Sequence, residues 1–273
     1  GIYYESQFEE ATIELLREAH WQYTFGDDIH RKYTDPLIEE DLRNFLAAQY
    51  KDRDLTTSEI DGIVANLRNT GGQNDYYALR NAFLLYRDGY DFTYSDGRNN
   101  PFRLEYIDFE HPDHNIFRCV NQFVMEQGRE NRRPDILLFV NGIPVCIIEL
   151  KNPTKQNATI RDAHTQICTR YMRDIPALLK YCALAVISDG AKNALGTIYT
   201  PFEFFYEWKK IENEDKAGKG LDTLRTLIRG ALSPERILEI LRDYVYFPDP
   251  TKEDDTTEIV CRYPCLLYTS PSP

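Results

Sequence analysis

The chain has 273 residues, 42% hydrophobic and 28% charged, with a net charge of −12. That length suits one large domain or two small ones. The acidic balance excludes a general electrostatic grip on nucleic acid, so a DNA role would need a local basic patch, a metal or partner subunits. No apolar run approaches the roughly 18 residues of a membrane span, and no signal peptide is read at the start. Six scattered cysteines form no CxxC pair, and no zinc spacing links cysteine or histidine residues. A reducing, cytoplasmic setting is expected. The start at Gly1-Ile2 rather than Met points to a piece of a longer protein.

In chain order, residues 6–19 read as a helix capped by Ser6, with Glu9 as its capping-box partner. Phe8, Leu15 and Ala19, with Ala11 or Thr12, form its apolar stripe. Two more amphipathic helices are expected over 37–49 and 56–68, the second capped by Thr57 or Ser58, and a short fourth over 75–86. From residue 102 the pattern turns to strands: 102–108, then a long apolar strand over 115–125, then a polar turn over 127–132. Beyond the central hairpin described next, the expectation is a helix over 159–172, a buried strand over 183–188, an aromatic strand over 197–205 and a charged linker over 212–220. Helices over 221–228 and 234–245 follow, the latter with Ser233 as cap and Pro234 in its first turn. The order predicts an α/β fold with a mixed sheet between helices.

The stretch from Arg132 to Pro153 is the centre of the chain. It reads as two apolar strands joined at Asn141-Gly142, with Asp135 opening the first strand and Glu149 and Lys151 closing the second. Buried charge must meet solvent, a partner or a metal. Glu149 and Lys151 share a face by strand parity. A plain two-residue turn pairs Val140 with Ile143 and leaves Asp135 on the other face. A three-residue loop with Gly142 in a bulge pairs Phe139 with Ile143 and brings all three onto one face, so the bulged turn is expected.

Pro134-Asp135, then fourteen positions to Glu149, then x-Lys151, suits metal-dependent phosphodiester hydrolysis. Two carboxylates with a backbone carbonyl make a hard oxygen site for Mg²⁺. Lys151 would orient or deprotonate the attacking water, or offset charge on phosphorus. The same residues would also serve as a salt bridge at a hairpin's end. Arg129, Arg132 and Arg133, with Lys155 beyond, form the most basic local patch, suited either to DNA phosphate or to neutralising Glu126, Glu130 and Asp135. Among the five histidines no metal spacing is found, and only His30 invites a test.

Asn121-Gln122-Phe123, Glu130 to Asp135, Leu138 to Gly142 and Ile148 to Pro153 together resemble the amino-terminal nuclease domain of the restriction (R) subunit of type I restriction–modification enzymes, a PD-(D/E)xK nuclease. Gly26 to Arg31, Asp162 to Gln166, Arg170-Tyr171, Asp174 to Pro176, Ile187 to Gly190 and Gly196 to Trp208 extend the resemblance. It implies a restriction-endonuclease-like mixed sheet flanked by helices, with core elements over 6–19 and 102–208. It also implies an upstream helical acid, for which Glu9 is chosen by register with Ile13 and Leu16, with Glu10 and Glu5 as competitors. The family's Gln-x-x-x-Tyr motif is matched inexactly: Gln166 is followed by Arg170 at the fourth position and Tyr171 at the fifth. On a regular helix Gln166 and Arg170 share a face, while Tyr171 sits about 100° away. Arg170 is then a second candidate for a phosphate.

The resemblance implies Mg²⁺, double-stranded DNA, modification and specificity subunits, and an ATP-driven helicase-like motor. No GxxxxGK[ST] phosphate loop of such a motor occurs here. The expected organisation is a nuclease domain over 1–247, a linker toward the motor over 248–264, and a foreign or disordered tail over 265–273. Two other readings are a docking module without chemistry of its own and a free-standing PD-(D/E)xK repair nuclease.

Overall fold

In a computed structural model, residues 2–151, 159–208, 218, 220–248 and 258–260 are described, with side chains from Ser6 onward. The three central strands, β7 (Ile136–Val140), β8 (Ile143–Leu150) and β9 (Leu184–Ser188), are buried at every position. Their unbroken apolar runs follow from being covered on both faces. They centre a seven-stranded mixed sheet of order β1-β4-β7-β8-β9-β10-β11. Its outer members are β1 (Gln22–Phe25), β4 (Phe117–Asn121), β10 (Asn193–Gly196) and β11 (Tyr206–Glu207). β1 runs parallel to β4, and β8 parallel to β9; the remaining pairs are antiparallel.

Helix α1 (Ile2–Glu18) packs against β1 and β8, burying Phe8, Ile13, Leu15 and Leu16. It starts before the expected Ser6, which lies within the helix. Helices α2 (Glu39–Gln49), α3 (Thr57–Asn69) and α4 (Asp75–Asp88) pack in sequence. The cap of α3 is Thr56 rather than Thr57 or Ser58: its side chain accepts from the Glu59 amide in a complete capping box. Helix α5 (Ile160–Thr165) lies against β8 and β9. It runs through a π-helical turn, Gln166–Tyr171, into α6 (Met172–Asp174), with α7 (Pro176–Leu179) after it. Helix α8 (Leu221–Leu227) covers β10 and leads to α9 (Pro234–Asp243), where Ser233 is the cap residue but makes no side-chain cap bond.

Several strand expectations are corrected. The segment 102–108 forms only β3 (Phe102–Leu104), paired with β2 (Tyr90–Phe92). The long strand over 115–125 breaks at Gln122, whose φ is 54°, into β4 and β5 (Met125–Gln127). The polar turn over 127–132 contains β6 (Glu130–Arg132), paired with β5. The segment 197–205 is a turn and a 3₁₀ segment, and the strands lie on either side of it as β10 and β11. The expected linker 212–220, the linker 248–264 and the tail 265–273 fall mostly outside the described residues. Within 248–264, β13 (Ile259–Val260) pairs with β12 (Val245–Tyr246). Among the described residues no helix is long and apolar enough to cross a membrane.

The expected bulged turn is also corrected. Val140 pairs with Ile143, so the connection is the plain two-residue turn. Asn141 (φ 51°) and Gly142 (φ 77°) adopt the left-handed backbone of a type I′ turn. Phe139 pairs with Pro144, but Leu138 pairs with Cys146, which leaves Val145 as the extra residue. Pro144 has no N–H to give the ladder, and prolines inside sheets gather at bulges. The bulge therefore lies in β8 and resets parity there. Ile136 pairs with Ile148, and the next step sets Asp135 against Glu149. The acids reach one face by a route that the turn alone did not reveal.

Candidate nuclease centre

Glu149 is buried at the end of β8, only 1% exposed. Lys151 Nζ donates to its Oε1 at 2.8 Å and to Gln166 Oε1 at 3.0 Å. Gln166 Nε2 donates to Tyr171 Oη at 2.8 Å, and Tyr171 Oη donates to Glu149 Oε2 at 3.3 Å. Four side chains thus close a ring of hydrogen bonds. The π turn is what closes it: widening the helix by one residue per turn brings positions i and i+5 together. The expectation that Tyr171 points about 100° away from Gln166 is overturned by this turn. Arg170 is exposed instead.

Asp135 lies beside this ring. Its Oδ2 accepts from the Leu150 amide at 2.7 Å. Burial and then the Glu149 charge push the Asp135 carboxyl well above its usual range, with the Leu150 amide and Lys151 opposing and Glu9 adding to the rise. Burial likewise raises Glu149, against the pull of Lys151. Two acids therefore share one lysine, and the pair is one positive charge short. An all-oxygen donor pair in that condition fits a hard divalent cation.

Glu9 reaches the same region from α1. Its Oε1 accepts from Asn121 Nδ2 at 2.5 Å and its Oε2 from Gln122 Nε2 at 2.7 Å. Tyr23 Oη donates to Asn121 Oδ1 at 3.1 Å. Glu10 is exposed, and the Glu5 side chain lies outside those described. Nothing in the spacing of Asn121 and Gln122 along the sequence announces a clamp on Glu9. The clamp depends on a close approach: a Cβ on Gly26 would stand 2.5 Å from the Gln122 carbonyl oxygen. Arg31 secures the same crossing, its guanidinium 3.3 Å above the Phe123 ring and bonded to the Val124 carbonyl. His30 is exposed in the same loop.

The basic patch divides. Arg132 donates to Asp174 at 2.7 Å and pairs with Glu130 at 2.5 Å, so its charge is already matched. Arg129 and Arg133 are exposed. Lys155 lies outside the described residues. The histidines also need correction: although the sequence reading found no metal spacing among them, the fold brings His111 and His114 onto Asp108, at the other end of the central hairpin.

The chain matches the family described as the type I restriction enzyme R protein N terminus over residues 2–204. It is 29% identical over 255 residues to the endonuclease subunit of the type I restriction enzyme HindI of Haemophilus influenzae, covering 89% of this chain and 24% of that protein. It is 28% identical over 270 residues to the putative MjaIXP endonuclease subunit of Methanocaldococcus jannaschii, covering 87% and 25%. The EcoprrI endonuclease subunit of Escherichia coli is 32% identical over 133 residues, covering 45% and 40%. The chain thus spans about a quarter of the length of the first two relatives. With a mixed sheet flanked by helices and a match over most of its length, it belongs to the family of type I restriction enzyme R protein N termini.

Proposed function

We propose that this chain is the nuclease domain of a type I restriction enzyme, with a PD-(D/E)xK fold, and that it hydrolyses phosphodiester bonds of double-stranded DNA with Mg²⁺. The observation that carries the reading is the set at the open end of the hairpin: Asp135 held by the Leu150 amide at 2.7 Å, its carboxyl raised by the Glu149 charge, and Lys151 Nζ 2.8 Å from Glu149. Asp135 and Glu149 would hold the metal, with Glu9 as the upstream acid. When bound, Mg²⁺ supplies positive charge against the scissile phosphate and acidifies water.

The protein's own groups divide the remaining work. Lys151 Nζ presents a proton and a charge at the open end of the hairpin, where the attacking water and the phosphate meet. Gln166 and Glu149 hold it there from two sides, and Tyr171 holds Gln166. Asn121 and Gln122 keep the Glu9 carboxylate from swinging away. Arg129, Arg133 and Arg170 are exposed cations suited to DNA phosphates. With a net charge of −12, this surface does not grip DNA by itself. Delivery of the substrate falls to an ATP-driven motor and to modification and specificity subunits.

The matched charge of Arg132 and the acidic surface favour the docking module as the second reading. Titration of Mg²⁺ or Mn²⁺ into the wild type, Asp135→Ala and Lys151→Ala separates the two. Binding lost in Asp135→Ala and kept in Lys151→Ala is expected. A wild type that binds neither ion supports docking.

A further inference from the structure

We propose that Asp108, His111 and His114 form a second metal site, selective for a borderline divalent cation such as Zn²⁺, independent of the nuclease centre. Asp108 is 4% exposed and rigidly held. Its Oδ1 accepts from the amides of Glu110 (3.1 Å) and His111 (2.9 Å), and its Oδ2 from Gln49 Nε2 (2.9 Å). The Asp108 amide donates to Asn115 Oδ1 at 2.9 Å, and Asn115 Nδ2 donates to the Asp108 carbonyl at 2.7 Å.

The histidines converge on that fixed carboxylate. Residues Pro112–His114 form a 3₁₀ turn, in which positions three apart eclipse. His111 and His114 accordingly stack, with ring centres 4.8 Å apart and planes 21° apart. His114 Nδ1 lies 2.9 Å from Asp108 Oδ2 and His111 Nδ1 lies 3.4 Å from it. All three ligand atoms fall within 4.8 Å of one another. Metal–ligand bonds of about 2.0–2.2 Å at tetrahedral angles put ligand atoms roughly 3.3 Å apart, so two edges of the site are close to formed.

The donor set decides the metal. Two imidazole nitrogens with one carboxylate oxygen suit Zn²⁺ and its transition-metal neighbours, whereas Mg²⁺ and Ca²⁺ take oxygen. Gln49, bonded to the ligating oxygen, acts as the outer partner that orients it. Both histidines are open to solvent, with side chains 64% and 49% exposed, so an ion can enter. The site would act as a clip. Asn115, which brackets Asp108, also accepts from Asn141 Nδ2 in the hairpin turn at 2.8 Å, so a bound ion ties α2, the loop and the turn together.

The test uses the tag-free chain stripped of metal, with Zn²⁺ affinity from competition against a chromophoric chelator and Co²⁺ absorption as the spectroscopic readout. The wild type is expected to bind one Zn²⁺ that Asp135→Asn retains and that raises the thermal unfolding midpoint. Outer-sphere groups alone are worth about 10–100-fold in affinity, so His114→Asn is expected to cost about 100-fold or more, with loss of the Co²⁺ band. His111→Asn, at the more exposed position, carries the same comparison if His114→Asn does not fold. Equal Zn²⁺ affinity in the wild type and His111→Asn, or loss of the ion in Asp135→Asn, overturns the proposal.

Discussion

The two ends of the β7–β8 hairpin bury polar groups on opposite terms. At the turn, Asn141 is fully buried and every part of its amide is used: Oδ1 accepts from the Ile116 amide, and Nδ2 donates to the Tyr106 carbonyl and to Asn115. The group is neutral and its account is closed. At the open end, Asp135 and Glu149 share Lys151 and repel each other. Complete satisfaction marks the turn as a device for shape. Unbalanced charge, held in place by a ring of hydrogen bonds, is what the proposed nuclease reading assigns to a cation site at the open end.

Breaking each end tests that contrast, and the largest effect is expected at the turn. A Cβ on Gly142 would stand 2.1 Å from the Ile38 carbonyl oxygen, at a φ of 77°. Gly142→Ala is expected to cost about 4 kcal/mol, read by urea unfolding, because backbone and neighbour must both move. A loss below about 1 kcal/mol would mean that the α2 contact is soft. At the open end, Lys151→Ala strips buried Glu149 of its counter-charge and should cost about 3 kcal/mol by urea unfolding, less than Gly142→Ala. It should lower DNA cleavage by the assembled full-length subunit by about 10²–10³-fold, the scale of losing one aimed charge-stabilising donor. Unchanged cleavage would remove Lys151 from the reaction.

Tyr171→Phe sharpens the picture of the ring. Removing one hydroxyl that bridges Gln166 and Glu149 is expected to cost about 1 kcal/mol, read as a several-fold loss in cleavage with metal affinity kept. Equal losses in both would place Tyr171 in metal binding. The smallest effect runs the other way. An acid whose pKa rises on folding favours the fold below its ordinary value and loses that contribution as the pH climbs through the raised value. Asp135→Asn should therefore stabilise the metal-free protein by about 1 kcal/mol at pH 8, with the gain shrinking as the pH falls through the ordinary carboxyl values near 4 and gone below about pH 3, where both carboxyls are protonated in either state. A gain that grows on acidification would contradict the assigned direction.

Much of this architecture was legible in advance because apolar runs and turn residues carry it. The central hairpin, the strand at β9 and the four leading helices all show in their periodicity. β1 was missed, because Gln22–Phe25 is short and mostly exposed and owes its strand to pairing with β4. The site residues could be named, but their geometry could not be derived from spacing. Parity around Asp135 depends on where the ladder slips, and the slip lies at Pro144-Val145 rather than at the expected Gly142. The Gln166–Tyr171 pair depends on a π turn, which a reading at 3.6 residues per turn cannot produce. The Asp108 cluster escaped for a similar reason, since its histidines converge only on a 3₁₀ turn.

The bulge at Val145 also makes the centre a unit for transplantation. An engineer who moves only Asp135 and the Glu149-x-Lys151 triplet onto a regular hairpin with an Asn-Gly turn would send the acids to opposite sides of the sheet. The Pro144-Val145 step has to travel with them. The smallest portable piece is therefore the whole span from Asp135 to Lys151, counted residue by residue.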